Sequence, residues 1–146
     1  MIRCLAAAAM LGSLAVPAMA TPQCSVATGA QLLFGTVVVL ERTGDKTTDS
    51  ASSFWINCNS EVIAAPQMYA TGARVMQSGT QQLPFKLSLV SPGGGDLPAG
   101  SPGTALDFPH NGANQTVTLY GKILVSDFKS LPGGLYSGSV HLTIEY

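Results

Sequence analysis

Residues 115–146 read as two strands joined by a turn-rich loop, and no other stretch limits the possible folds as much. Apolar side chains fall on every second position at Val117, Leu119, Ile123 and Val125, with Gly121 in the remaining slot. Thr116, Thr118 and Lys122 take the other face. This is the period of a half-buried strand. After Leu131-Pro-Gly-Gly134 the alternation resumes, with Val140, Leu142, Ile144 and Tyr146 on one side and His141, Thr143 and Glu145 on the other. The sequence finishes inside this second strand, which is then either covered or left as an edge. An exposed edge is a template for pairing with another chain.

The same period recurs upstream. Residues 32–40 form a strongly β-prone run in which Gly35 marks a bend or bulge. Residues 41–53 are polar, carry both signs of charge, and read as a solvated connection. Phe54, Ile56 and Cys58 then alternate with Trp55 and Asn57. Residues 61–70 read as a third strand in which Pro66, lacking a ladder donor, argues for an edge or a break. Residues 83–90 put Phe85, Leu87 and Leu89 on one face. The Pro/Gly-rich residues 91–103 read as a long loop without a core of its own, and residues 104–108 as a short strand.

No helical stripe and no internal repeat interrupt this pattern. With 16 glycines, 9 prolines and 10% charged residues in 146, the composition is that of strands and turns. Six or seven short strands in one domain fit an all-β sandwich of immunoglobulin-like type.

The N-terminus is a targeting segment. Arg3 gives a short positive start, residues 4–16 are apolar and too few to span a bilayer, and Ala18-Met-Ala20 fits a small-x-small cleavage site. Residues 1–20 are therefore read as a secretory signal and residues 21–146 as the mature domain, without a transmembrane segment. Cys4, far upstream of the small-residue site, belongs to the leader and is no lipid anchor. Loss of Arg3 leaves six basic residues against eight acidic ones, a net charge of −2. That sign excludes a phosphate-tracking groove and hence a nucleic-acid partner.

Two cysteines remain, Cys24 and Cys58. In an exported chain an even count favours a disulfide. The alternative, a pair of free or metal-bound thiols, is disfavoured by an oxidising compartment.

Chemistry-bearing residues are sparse. His110 and His141 lack a flanking nucleophile or ligand pattern. A copper site would need a Cys/His/Met cluster that the C-terminal region does not contain. Glu61, Asp96, Asp107 and Asp127 are scattered singly, Gly93-Gly-Gly95 is a flexible loop and no phosphate cradle, and Asn114-Gln-Thr116 is a sequon in form alone. The expectation is a protein that is no enzyme and takes no cofactor and no metal.

Leu119-Tyr-Gly-Lys-Ile123, Gly134-Leu-Tyr-Ser-Gly-Ser-Val140 and the terminal alternating strand resemble the C-terminal signature of the spore coat protein U domain. Cys24 with Phe34-Gly35, Cys58 closing a strand, and Gly72 with Arg74 and Met76 match it further upstream, while residues 78–114 match weakly. Ser137-Gly138 stands where relatives carry a polar pair including Asp.

The resemblance implies a subunit of an archaic chaperone–usher pilus, exported through the inner membrane and carried across the periplasm to the cell surface. Its sandwich would lack the final strand. The groove so left would be filled first by a periplasmic chaperone and then, at the usher, by the N-terminal extension of a neighbouring subunit. Phe34, Val37, Val39, Val140, Leu142, Ile144 and Tyr146 would line it. A donor segment needs about ten alternating residues at about 3.3 Å each to span such a groove. Thr21, Pro22 and Gln23 are all that stand between the expected cleavage site and Cys24, which implies a terminal or tip subunit, or a relative that does not polymerise. At a tip, Leu97, Leu106 and Phe108 would be candidates for surface contact, against the plainer reading of scattered loop apolars. The competing function is a self-sufficient secreted binding or coat module that never assembles.

Overall fold

The computed structural model describes residues 20–27, 30–34, 46–47, 52–92 and 94–146. Of the sequence expectations, the leader up to residue 19 with Cys4, the bend at Gly35, the groove positions Val37 and Val39, and Gly93 lie outside the described residues.

Among the described residues, ten strands and one helical turn follow in order. They are β1 (Cys24–Val26), β2 (Lys46–Thr47), β3 (Ser52–Cys58), β4 (Gln67–Thr71), β5 (Val75–Ser78), β6 (Gln81–Pro84), β7 (Lys86–Ser88), β8 (Thr104–Ala105), β9 (Gln115–Ile123), α1 (Val125–Phe128) and β10 (His141–Glu145). One sheet runs β1-β3-β9-β2 with β7 also on β9, a second runs β10-β4-β8, and β5-β6 form a hairpin. All pairings are antiparallel. Phe54, Ile56, Val117, Leu119 and Ile123 of the first sheet are buried in one core with Met68 and Ala70 of the second. This is the all-β sandwich that the alternation implies.

β9 is the spine of the first sheet. Its residues alternate as the sequence dictates, with Val117, Leu119, Gly121 and Ile123 buried and Thr116, Thr118, Tyr120 and Lys122 less so. The strand stops at Ile123. Val125 belongs to α1, which ends the expected run two residues early. β3 follows its pattern too, burying Phe54, Ile56 and Cys58 while leaving Trp55 43% exposed. Cys58 meets Cys24 as a direct register partner across β1 and β3, and the two form the disulfide.

Three expectations change. The polar connection over residues 41–53 contains a pairing: Lys46 and Thr47 sit opposite Ile123 and Lys122, and Ser52 and Ser53 already belong to β3. The strand expected over residues 61–70 begins at Gln67, because Pro66 lacks the ladder donor and stands just before it. Val62 is buried in the preceding loop while Ile63 is 96% exposed. The strand expected over residues 83–90 is two strands that serve different partners, β6 on β5 and β7 on β9. Leu83, Phe85 and Leu87 all remain buried across the break.

The polar stretch before Leu83 is a hairpin. Ser78 pairs with Gln81, and Gly79 in the turn takes φ +58, a left-handed value that a side chain would disfavour. The half-buried Phe34 packs on the core with its ring 6.0 Å from that of Phe85.

The Pro/Gly-rich residues 91–103 are not a loose excursion. Leu97 N–H donates to Leu87 C=O at 2.7 Å, Asp96 Oδ1 accepts from Leu87 N–H at 3.1 Å, and Ala70 N–H donates to Pro98 C=O at 2.9 Å. Residues 96–98 thus stitch β7 of one sheet to β4 of the other. Arg74 fixes them there, bridging Asp96 at 2.6 Å and donating to the carbonyls of Leu97 and, at 2.9 Å, Pro98. Asp96 and Leu97 also cap the outer edge of β7, which would otherwise be open for pairing.

Candidate functional site

β10 and β4 pair in register from His141↔Thr71 to Glu145↔Gln67, so Leu142 faces Ala70 and Ile144 faces Met68 on the core side. The partners are unequal. Met68 and Ala70 are fully buried, whereas Leu142 and Ile144 are only half-buried against the same core. Val140, just ahead of the strand, is half-buried as well. Side chains directly opposite one another differ in cover because one strand is central and the other is not: β4 has β8 on its far side, while β10 has no second partner among the described residues. In an antiparallel strand with one neighbour, alternate N–H and C=O groups point away from that neighbour. The site is therefore an apolar row along a hydrogen-bonding edge that no described strand pairs.

The first sheet shows the same opening at β1. Val26 is 44% exposed on the core side, although its register partner Ile56 is completely buried. Tyr146, the last of the expected groove positions, lies beyond the strand and is 55% exposed.

On the outer face β10 is held by polar contacts. Tyr69 Oη donates to Glu145 Oε1 at 2.7 Å. This bond raises the Tyr69 phenol above its ordinary value and lowers the Glu145 carboxyl below its own, a Ser101 hydrogen bond adding to the latter. The bond ties the outer face of β10 to β4.

The loop residues considered for surface contact fall elsewhere. Leu97 and Leu106 are 3% and 7% exposed and Phe108 is half-buried against the core. The surface-contact reading is corrected for Leu97 and Leu106, because residues 96–98 stitch the sheets and Leu106 N–H is tied to Pro66 C=O at 2.8 Å. His110 donates through Nδ1 to Val62 C=O at 2.7 Å and packs edge-on against Phe108, which makes it a structural residue. His141 lies exposed on the outer face of β10, away from His110's loop in sequence and pairing. Among the described residues no group of three or more His, Cys, Asp or Glu is placed to hold a metal ion.

Sequence reasoning missed the parts that hold the site together. Arg74 entered as a matching residue without a role, and Asp96 as a scattered carboxylate. Their partnership had no signal in periodicity, since it joins positions from two different loops.

The profile of the Spore Coat Protein U domain matches residues 10–143, nearly the whole chain. The chain belongs to that family. No curated protein and no solved structure matches it. The family is one of secreted surface subunits of fimbrial type, structural and not enzymatic, whose assembly partners are other pilus components. No helix among the described residues is long and apolar enough to cross a membrane, a statement that does not extend to strands.

Proposed function

We propose that this Spore Coat Protein U domain protein is a fibre subunit exported by its residues 1–20 and assembled by strand addition at the free edge of β10. One observation carries the reading: Leu142 and Ile144 are half-open where Ala70 and Met68, directly opposite, are fully buried. An added strand laid along β10 would take up its outward backbone groups and cover Val140, Leu142 and Ile144 with its own alternating side chains. A periplasmic chaperone would hold the edge first, and a neighbouring subunit would replace it at the usher. Phe34, Val37 and Val39 are the proposed lining on the other side of the groove.

A terminal place in the fibre is the finer reading. The segment ahead of Cys24 is occupied at home: Asn59 Nδ2 donates to Thr21 C=O at 2.8 Å, Gln23 N–H donates to Asn59 Oδ1 at 3.1 Å, and Asn59 N–H donates to Gln23 C=O at 3.0 Å. Residues held in this way are not available to a neighbour.

The test is export of the full chain with and without its cognate chaperone, followed by hydrogen exchange with an added donor peptide. Degradation alone, rescue by the chaperone and new protection at β10 amides are expected. A stable folded monomer that gains no protection at β10 sinks strand addition and leaves a self-contained surface module.

A further inference from the structure

Trp55 is the single tryptophan of the chain, and it lies 43% exposed on the outer face of β3. Alternation turns Ser53 and Asn57 to the same face. Register sets Thr118 of β9 opposite Ser53 and Thr116 opposite Trp55. On the other side Ser25 of β1 faces Asn57, and Ala27 N–H donates to Trp55 C=O at 3.0 Å. The direct neighbours of Trp55 across the sheet are thus the small residues Ala27 and Thr116.

Beside the indole stands a paired amide. Asn57 Nδ2 donates to Gly112 C=O and, at 3.2 Å, to Asn114 Oδ1, which uses both of its hydrogens. Asn57 Oδ1 is left as an acceptor and Asn114 Nδ2 as a donor, neither with a partner among the described residues. Positions two apart on a strand are about 6.6 Å apart, so one sugar ring on Trp55 brings its hydroxyls to the amides.

Residues 23–27, 52–58 and 111–119, which build this face, contain no Asp, Glu, Lys or Arg. A charged ligand finds no counter-charge on them. A purely apolar one would strip water from the two amides and from the Ser53, Thr116 and Thr118 hydroxyls without replacing its hydrogen bonds. A neutral sugar satisfies both halves of the surface. Its axial C–H groups pack on the indole, and neighbouring hydroxyls donate to Asn57 Oδ1 and accept from Asn114 Nδ2.

We propose that the outer face of β3 and β9 binds an uncharged glycan of flat, cellulose-like ribbon shape, with Trp55 as the stacking platform and the Asn57 and Asn114 amides as its polar clamp. This face belongs to the first sheet and β10 to the second, so glycan binding does not depend on strand addition at β10.

Cellotetraose is the probe, titrated into the exported, disulfide-bonded and isotope-labelled chain with any assembly partner it carries, and followed by NMR. Saturable shifts are expected at the one indole N–H signal and at the Asn57, Asn114 and Thr116 amides, with an affinity that salt leaves unchanged. Trp55→Ala is expected to weaken binding about ten-fold through loss of the stacking surface. Asn114→Asp keeps the Oδ1 that holds Asn57 and removes only the Nδ2 donor. It is expected to weaken binding about five- to ten-fold at an unchanged thermal midpoint, whereas a residue that merely held Asn57 in place would show no loss. Hexanol, the apolar control, is expected to bind more weakly than cellotetraose. Absence of saturable shifts, an affinity that falls with salt, full affinity in either variant, or hexanol binding as tightly as cellotetraose overturns the proposal.

Discussion

Tyr69 of β4 donates its hydroxyl hydrogen to Glu145 of β10 at 2.7 Å, diagonally across the pair whose direct partners are Tyr69↔Thr143 and Gln67↔Glu145. The bond lowers the Glu145 carboxyl below 4.5 and raises the Tyr69 phenol above 10.0. A lowered folded-state carboxyl adds stability above its unfolded value, and that contribution is lost as pH falls through the lowered one. A raised folded-state phenol adds stability below 10.0, lost as pH rises through its raised value. Tyr69→Phe should therefore lower stability modestly between those two limits, the two proteins converging towards both the acid and the alkaline end. Denaturant midpoints of the two proteins across the pH range check this, and parallel profiles would refute it.

The disulfide joins the first strand to the third across a sequence separation of 34 residues. On the chain-entropy account a loop of that size is worth about 3.5–4 kcal/mol. Cys24→Ser with Cys58→Ser, or reduction in solution, should lower the unfolding free energy by about that amount. Urea titration of the oxidised and reduced forms measures it. A loss under about 1 kcal/mol would mean that the denatured chain is already constrained there.

Arg74 is 11% exposed and Asp96 45%, so their attraction is partly screened by water. The carbonyls of Leu97 and Pro98 also depend on Arg74. Arg74→Met should cost about 2–3 kcal/mol, mostly through those acceptors, and Arg74→Lys should recover little, since one ammonium cannot reproduce the planar fork. Faster hydrogen exchange at Leu97 and Ala70, read alongside the thermal midpoint, would locate the damage in the stitch between sheets.

The sandwich was largely legible because period-two alternation is local and survives wherever one face meets the core, as at Phe54, Ile56 and Cys58 or at Val117, Leu119 and Ile123. Partner exchange was not legible. Phe85 continues the apolar alternation from Leu83 to Leu87, so nothing in the pattern reports that β6 and β7 pair with different strands. The apolar row of β10 was readable for the same reason as the core, but its half-open state was not, because burial depends on which neighbour is absent. Residues 91–103 misled because Pro and Gly signal the backbone's turns and are silent about Leu97 among them.

Two glycines sit against backbone rather than in open turns. A Cβ on Gly103 would lie 2.5 Å from Met68 O, and one on Gly138 would lie 2.5 Å from Val75 O. Neither neighbour can swing aside, unlike a flexible side chain. Gly103→Ala and Gly138→Ala should each destabilise by about 1–3 kcal/mol, the range for overpacked sites. The adjacent Ser137 anchors the second site through N–H and C=O bonds to Gln77 at 3.1 and 2.8 Å, which keeps Gly138 pressed on β5. Thermal unfolding of the two alanine variants tests this, and a neutral result at Gly138 would mean that this anchored turn can shift.

Leu97 decides between two accounts of the Pro/Gly-rich segment. As a surface-contact residue it would be replaceable without loss of stability, and its removal would weaken attachment alone. At 3% exposure it packs in the core between β7 and β4, where its own N–H and the neighbouring Pro98 C=O are bonded to opposite sheets. Truncation leaves a cavity whose walls are held apart by those bonds and by Arg74, so they collapse little. Leu97→Ala should cost about 2–5 kcal/mol. Val90→Ala, at a residue 77% exposed immediately before the segment, should cost under about 0.5 kcal/mol. Equal, small losses at both positions would return Leu97 to the surface and undo the stitched arrangement of the two sheets.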